Sequence, residues 1–220
     1  MDSSRLRVEE GSLRYTFAVP QARPSAGRPV LVFLHGYGEG APMHIQDALT
    51  RHGPLRPGNT VRAVEEFIIV APQMPTRGDV WHRYAGAVRV ILRQVHQRHG
   101  GDPRRTYLTG FSFGGNGVFD LALLQPHTWA ALWAVDPTRV PTRDPERPVW
   151  LSFGEVARHR KNGFIQALDL RPILESADPD RVYLDEGADH VGSAMLAYQD
   201  ERIYSWLLSK QLGSAANSPA

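Results

Sequence analysis

A Gly-x-Ser-x-Gly pentapeptide at positions 110–114 constrains this chain more than any other feature. It follows a run of β-branched and aromatic residues at 106–109 and leads directly into a helical pattern at 115–124. In that context the serine is expected on a sharp, strained turn that holds its hydroxyl above the end of a sheet. Glycine is needed on both sides because a side chain would collide where strand and helix pass close together. The motif favours Ser112 as a nucleophile over an incidental serine in a glycine-rich turn.

The rest of the chain alternates between strand and helix patterns, which predicts the α/β class. An alternating segment at 13–19 is typical of an edge strand, and three segments have helical periodicity: 80–99, 164–176 and 194–211. Short apolar runs, typical of strands buried on both faces, occur at 30–34, 67–71, 106–109, 131–135, 149–153 and 181–185. We therefore expect a mostly parallel central sheet of about seven or eight strands, with helices on both faces.

Length and composition narrow the possible classes of protein. The 220 residues fit a single domain over 1–212, followed by a small, polar tail at 213–220 that we expect to be disordered. No apolar run approaches the roughly 20 residues of a membrane span. No signal peptide is visible in residues 1–10, so a cytoplasmic protein and a mature or excised domain of a secreted protein both stay open.

Charge and cysteine content exclude several chemistries. There are no cysteines, so disulfides, thiolate metal sites and a cysteine nucleophile are all excluded. The formal net charge is only +2, and the arginines are scattered along the chain, which argues against a nucleic-acid surface.

A serine nucleophile needs a base, and His190 is the best placed histidine. It follows the last predicted strand, at the entrance to the final helical segment, where a loop position would let the imidazole reach over the strand ends. His96 and His99 lie three residues apart on the predicted solvent side of a helix, and we interpret them as surface residues.

The loop His35-Gly36-Tyr37-Gly38-Glu39-Gly40 follows a buried strand and is expected to complete an oxyanion hole. We assign one backbone donor to the Phe113 amide and one to the Tyr37 amide, with Gly36 or Gly38 as alternatives to Tyr37 if the register differs by one. His35 is expected to support this loop by hydrogen bonds. A dinucleotide site, suggested by the loop's glycines, is disfavoured because the next strand ends in Pro72-Gln73 and not in an acidic residue.

The order of motifs along the chain resembles that of the α/β-hydrolase superfamily. The motifs are a strand followed by HGYGEG, a strand ending in VAPQMP, the GFSFGG turn and a late Asp-His pair. The chain is most similar to compact serine esterases of the polyhydroxyalkanoate-depolymerase-like and dienelactone-hydrolase-like groups, over roughly residues 13–208. The resemblance implies the α/β-hydrolase fold and a carboxylester hydrolase that needs no cofactor and no metal.

The acidic member of the expected triad departs from that resemblance. Most such relatives carry it after the next-to-last strand, where this chain has Ala157. One strand earlier, Asp136 ends a buried run, and a minority of the superfamily places its acid there. We therefore predict Asp136 as the acid and keep Glu155 as the alternative. Asp189 ranks lower, because neighbouring side chains in a loop usually point apart.

Loop lengths indicate the kind of substrate. This superfamily commonly inserts a lid between two strands that are separated here only by residues 137–148. That connection is too short for a cap domain. We expect an open site for esters with short or medium acyl chains, and aryl or polymeric esters stay possible. Trp81 and His35 are candidates to line the pocket, although Trp81 fits equally well as packing under a helix. The same scaffold could serve a serine peptidase, a thioesterase or a non-catalytic binding protein.

Overall fold

A computed structural model describes residues 6–21, 27–174 and 180–213, and its strands form one nine-stranded sheet. The order across the sheet is β1-β2-β4-β3-β5-β6-β7-β9-β8. The strands are β1 (Leu6–Glu9), β2 (Tyr15–Ala18), β3 (Arg28–Leu34), β4 (Ile68–Pro72), β5 (Gly101–Phe111), β6 (Ala131–Val135), β7 (Val149–Phe153), β8 (Arg171–Pro172) and β9 (Arg181–Asp185).

The sheet is parallel from β4 to β8, and of the described strands only β2 runs in the opposite direction, antiparallel to both β1 and β4. All seven predicted strands are present, but the one at 13–19, expected at an edge, is β2 and lies between β1 and β4. The sequence did not predict β1 or β8, which explains the difference from seven or eight strands. Both are short, and neither contains the continuous apolar run that marks a buried strand.

Helices cover both faces, as predicted, because alternate strand residues feed two separate apolar cores. The helices are α1 (Ile45–Leu49), α2 (Val61–Glu66), α3 (Ala85–His99), α4 (Phe113–Leu124), α5 (Glu155–Arg158), α6 (Lys161–Leu168), α7 (His190–Gln199) and α8 (Glu201–Leu208), with a 3₁₀ turn at Trp81–Tyr84. One core packs β-strand side chains against α3, α4 and α6, and the other packs them against α1, α7 and α8. No helix of the described residues has the length and apolar character needed to cross a bilayer.

Two predicted helices have different boundaries. The helix expected at 164–176 starts earlier and ends at Leu168, because Asp169 adopts a left-handed conformation (φ 48°) and Pro172 disfavours helix beyond it. Positions 175 and 176 lie outside the described residues, as do positions 214–220 of the expected tail. The helix expected at 194–211 starts at His190 and is two helices, broken at Asp200.

The strand order reverses at β3, which lies between β4 and β5. In open α/β sheets, the loops at the carboxyl ends of the strands beside such a reversal form a crevice. The loops after β3 and β5 therefore meet there, and those after β6 and β9 lie farther along the same edge of the sheet. These are the loops that carry the sequence-predicted functional residues.

Candidate active site

Ser112 lies in the strained turn that the sequence predicts. Its backbone has φ 59° and ψ −117°, and its side chain is almost buried, with 7% of the residue exposed. A Cβ at Gly114 would lie 1.9 Å from the Leu34 carbonyl oxygen, and one at Gly110 would lie 2.3 Å from the Gly114 oxygen. Only glycine fits at these two positions, because the backbone of another segment passes too close for a side chain. The backbone strain of the turn lies at Ser112.

Three side chains form a continuous hydrogen-bonded chain at the carboxyl edge of the sheet. His190 Nε2 lies 2.9 Å from Ser112 Oγ, and His190 Nδ1 lies 2.6 Å from Asp136 Oδ2. Because an ionised carboxylate can only accept, the proton on the imidazole belongs on Nδ1. Nε2 is then the acceptor that faces the serine hydroxyl.

Asp136 is fully buried, with 0% of the residue exposed, and three backbone amides stabilise its charge. The Gly154 and Ala157 amides donate to Oδ1 at 3.0 and 2.7 Å, and the Val156 amide donates to Oδ2 at 3.3 Å. Asp136 also has a positive φ of 40°, which directs its side chain across the end of β7. Position 157, where the resemblance places the acid, here contributes a backbone donor to that acid.

The structure does not bring the alternative acids to the imidazole. Glu155 is exposed in the first turn of α5, and His190 Nδ1 is occupied by Asp136. The Asp189 carboxylate instead caps the N-terminus of α7, where it accepts from the Gly192 amide at 2.6 Å. Glu155 is therefore withdrawn as the alternative acid.

His35 supports the loop after β3 from below. It is 1% exposed, its Nδ1 lies 2.7 Å from the Gly36 carbonyl oxygen, and its Nε2 accepts from the Met74 amide at 3.0 Å. Burial lowers the pKa of His35 to about 4, so the ring is neutral at neutral pH. The expected supporting contacts are present, but the assignment of His35 to the pocket lining is wrong, because its side chain does not reach the surface.

Trp81 is also withdrawn as a pocket residue. It is 1% exposed and donates from Nε1 to the His35 carbonyl oxygen at 3.0 Å. A Cβ at Gly117 would lie 2.6 Å from the indole ring, so α4 packs directly on it. Trp81 is packing beneath a helix, which is the other role that the sequence allows.

The mouth of the site has an aromatic rim. Tyr37 is 50% exposed, and its ring meets that of Phe113 edge to face with centroids 5.1 Å apart. The Arg77 guanidinium carbon lies 5.8 Å from the centre of the Tyr37 ring. On the other side, the Phe111 ring packs 4.6 Å from the His190 ring, centroid to centroid. The connection from β6 to β7, at 136–148, contains no helix that could form a cap.

His96 and His99 are half-buried, not surface residues as the sequence suggested. His96 Nε2 is 3.0 Å from Thr106 Oγ1, and the His99 ring packs 4.8 Å from the Phe17 ring. Among the residues that the structure describes, no cluster of three or more histidine and acidic side chains could hold a metal ion.

Sequence reasoning missed two titratable residues beside the site, the buried Glu39 and the half-buried His52. Their side chains face each other, with Glu39 Oε1 and His52 Nε2 3.7 Å apart. Glu39 lies inside the HGYGEG loop, so its position in that motif was a signal. His52 lies in an irregular segment after α1, and no pattern in the sequence marks it.

Similar structures are known, although no protein-family model matches the sequence and a comparison with curated proteins finds no match. A thermostable esterase aligns with a TM-score of 0.69 at 20% identity, covering 94% of this chain and 62% of the esterase. This chain therefore spans less than two thirds of that protein. An S-formylglutathione hydrolase from Agrobacterium tumefaciens aligns with a TM-score of 0.65 at 13% identity, covering 94% of this chain and 95% of that one.

A fluorophosphonate-binding serine hydrolase from Staphylococcus aureus aligns over 93% of this chain and 96% of its own, with a TM-score of 0.60 and 13% identity. At such identities the likeness establishes the fold and not the activity. The predicted architecture is confirmed by the sheet, its helices and these similar structures: the chain has the α/β-hydrolase fold.

Proposed function

We propose that this protein is a serine hydrolase that cleaves carboxylic esters through an acyl-enzyme. The observation that carries the proposal is the hydrogen-bonded chain from Ser112 through His190 to Asp136, which begins at a serine in a strained strand-to-helix turn. Nucleophile, base and orienting acid in that relation are the recurrent arrangement of serine hydrolases. The similar structures include an esterase and two other hydrolases, which agrees with it.

Acylation follows from the geometry. Ser112 Oγ attacks the ester carbonyl carbon while its proton passes to His190 Nε2, 2.9 Å away. The imidazolium then gives that proton to the leaving alkoxide as the carbon–oxygen bond breaks. A water molecule repeats the cycle on the acyl-serine and releases the carboxylic acid.

Asp136 fixes the tautomer of His190 and stabilises the imidazolium. Three backbone amides hold its carboxylate in place, and burial keeps water away from the bond to Nδ1. This arrangement supports an enzyme over a non-catalytic binding protein, whose only support in the sequence was the lack of an acid at position 157.

We assign the backbone amides of Phe113 and Tyr37 as the donors that stabilise the oxyanion formed on the substrate carbonyl. Phe113 is the first residue of α4, and first-turn amides have no partner inside their helix. Gly36 is a poor alternative to Tyr37, since its amide already donates to the Glu39 carboxylate. Each donor of this kind lowers the activation free energy by about 3 to 4 kcal/mol.

The open mouth favours small substrates. With no helix between β6 and β7, little apolar surface is available to enclose a long acyl chain, so short or medium esters fit best. The exposed Tyr37 ring beside Phe113 would also accept an aryl ester or a section of a polyester chain.

Hydrolysis of p-nitrophenyl esters from C2 to C12, with Ser112→Ala as the blank, tests this proposal. We expect a burst of p-nitrophenol with an amplitude close to one per protein molecule, and highest kcat/KM at the short or medium chains. Activity equal to the blank on every ester would contradict the proposal. Thioester and peptide substrates in the same assay distinguish an esterase from a thioesterase or a peptidase.

A further inference from the structure

Glu39 is a buried carboxylic acid next to the proposed nucleophile that takes no part in the proton transfer described above. Only 6% of the residue is exposed, and it lies in the loop after β3. A buried carboxyl group is costly unless it makes hydrogen bonds or meets a charge. Its contacts should therefore show what it does.

The Glu39 carboxylate holds the backbone of Gly36. It accepts hydrogen bonds from the Gly36 amide and from its own amide. A Cβ built at Gly36 would lie 2.9 Å from Glu39 Oε2 and 3.5 Å from the Ser112 Cβ. The carboxylate and the nucleophile thus both lie close to one glycine, immediately before Tyr37.

The rest of Glu39 is fixed by its other neighbours. Gln73 Nε2 donates to the Glu39 carbonyl oxygen at 3.0 Å and to the Met43 carbonyl oxygen at 2.9 Å. The next residue, Gly40, packs so closely that a Cβ there would lie 2.8 Å from the Thr76 carbonyl oxygen. The loop is therefore clamped on both sides of Glu39.

The charged and titratable groups that face Glu39 come from two segments, one with Arg51 and His52 and one with Arg77. Burial raises the pKa of the Glu39 carboxyl, while the positive charges of Arg51 and Arg77 act to lower it. Burial, with Arg51, Arg56 and His190 nearby, lowers the pKa of His52 to about 4, so His52 faces Glu39 as a neutral ring. The His52 ring also packs 5.0 Å from Phe111, which separates it from His190.

We propose that Glu39 is a positioning residue for the oxyanion hole. By occupying the Gly36 amide and fixing that peptide, it leaves the next amide, that of Tyr37, directed at the carbonyl oxygen of a substrate bound at Ser112. This inference rests on the proposed function. Its physical basis is that preorganised donors act strongly, and a displacement of about 1 Å at a site can cost about 100-fold in rate.

The test compares Glu39→Ala with Glu39→Gln and with Glu186→Ala, a control that removes a half-buried carboxyl group away from this loop. We expect Glu39→Ala to lower kcat on p-nitrophenyl butyrate about 10- to 100-fold, with KM within about threefold of wild type. Glu39→Gln should recover most of kcat, because its amide oxygen can accept from the Gly36 amide. Glu186→Ala should retain the wild-type kcat.

A second readout separates positioning from folding. Affinity for a trifluoromethyl ketone, which forms an oxyanion on attack by Ser112, should fall in Glu39→Ala in step with kcat/KM, while affinity for the butyrate product should not change. If Glu39→Ala does not fold, Glu39→Asp replaces it, since the shorter side chain keeps the charge and cannot reach the Gly36 amide.

Two outcomes would overturn the inference: an unchanged kcat in the folded variant, or a loss confined to KM. Neither affects the proposed function, which fails only if the wild-type protein itself shows no turnover above Ser112→Ala.

Discussion

At the scale of single residues, Asp136 is the proposed acid, and it lies at the end of β6 and not at position 157, where the resemblance places the acid. Replacing it with Asn should lower kcat about 10²- to 10⁴-fold, since the amide favours the wrong tautomer of His190. The NH₂ group would also face the amide donors of Gly154 and Ala157. Steady-state kinetics on p-nitrophenyl butyrate measures the effect. Glu155→Gln is the control and should stay near wild type; the reverse pattern would move the acid to Glu155.

Gly154 gives a second prediction at this scale. A Cβ there would lie 2.5 Å from Asp136 Oδ2 and 2.3 Å from Ser193 Oγ. Gly154→Ala should therefore displace the carboxylate and lower kcat/KM by about tenfold or more. Gly86→Ala is the matched control, since no atom lies within 4 Å of the added carbon and the position is helical. That control should keep full activity and gain about 0.5 to 1 kcal/mol in urea unfolding. Equal activity in the two variants would contradict the prediction.

The sequence could predict residues whose role depends on their place at a strand end. Ser112, His190 and Asp136 each follow a recognisable strand, and parallel strands bring their carboxyl ends to one edge. Exposure cannot be predicted in this way. Trp81 and His35 also lie near strand ends, yet both are covered by packing that only the folded chain contains.

At the scale of elements, the break between α7 and α8 depends on Asp200. Its carboxylate accepts from the Arg202 amide at 2.9 Å and forms an ion pair with the Arg202 guanidinium. Asp200→Ala should lower the free energy of unfolding by about 1 kcal/mol, which is typical for the loss of an N-cap. Urea denaturation measures this change. Asparagine caps a helix almost as well as aspartate, so Asp200→Asn should lose much less unfolding free energy than Asp200→Ala. Similar losses in the two variants would show that the cap contributes little.

Strands were easier to predict than helix ends for a physical reason. A strand buried on both faces needs an unbroken apolar run, which is visible in the sequence. The end of α6 depends instead on one left-handed residue, Asp169, while the apolar spacing of Leu170, Ile173 and Leu174 continues to imitate a helix. Short strands such as β8 have too few residues to show any pattern.

At the scale of the whole molecule, Glu186 should make stability depend on pH. Burial raises its pKa to about 7, and its Oε1 is buried without a hydrogen-bond partner in the described part of the chain. Because the folded-state pKa lies above the unfolded value, the protonated form contributes stability below about pH 4.5. That contribution is lost as the pH rises through about 7.

The expected loss of unfolding free energy between pH 5 and 8 is on the order of 1 to 3 kcal/mol from this group. Urea denaturation at several pH values measures it, with Glu186→Gln as the comparison. The variant, which cannot ionise at this position, should show a flatter pH profile and greater relative stability at pH 8. Parallel profiles for the two proteins would show that Glu186 is not responsible.

Covalent labelling tests most directly whether Ser112 is a nucleophile activated through His190 by Asp136. A fluorophosphonate probe is added to the wild type, Ser112→Ala and Asp136→Asn, and the labelled residue and the rate are determined by peptide mass spectrometry. We expect rapid labelling of the wild type at Ser112, none in Ser112→Ala, and labelling of Asp136→Asn slowed by at least about tenfold. A wild-type protein that stays unlabelled, or is labelled at another residue, would contradict this expectation.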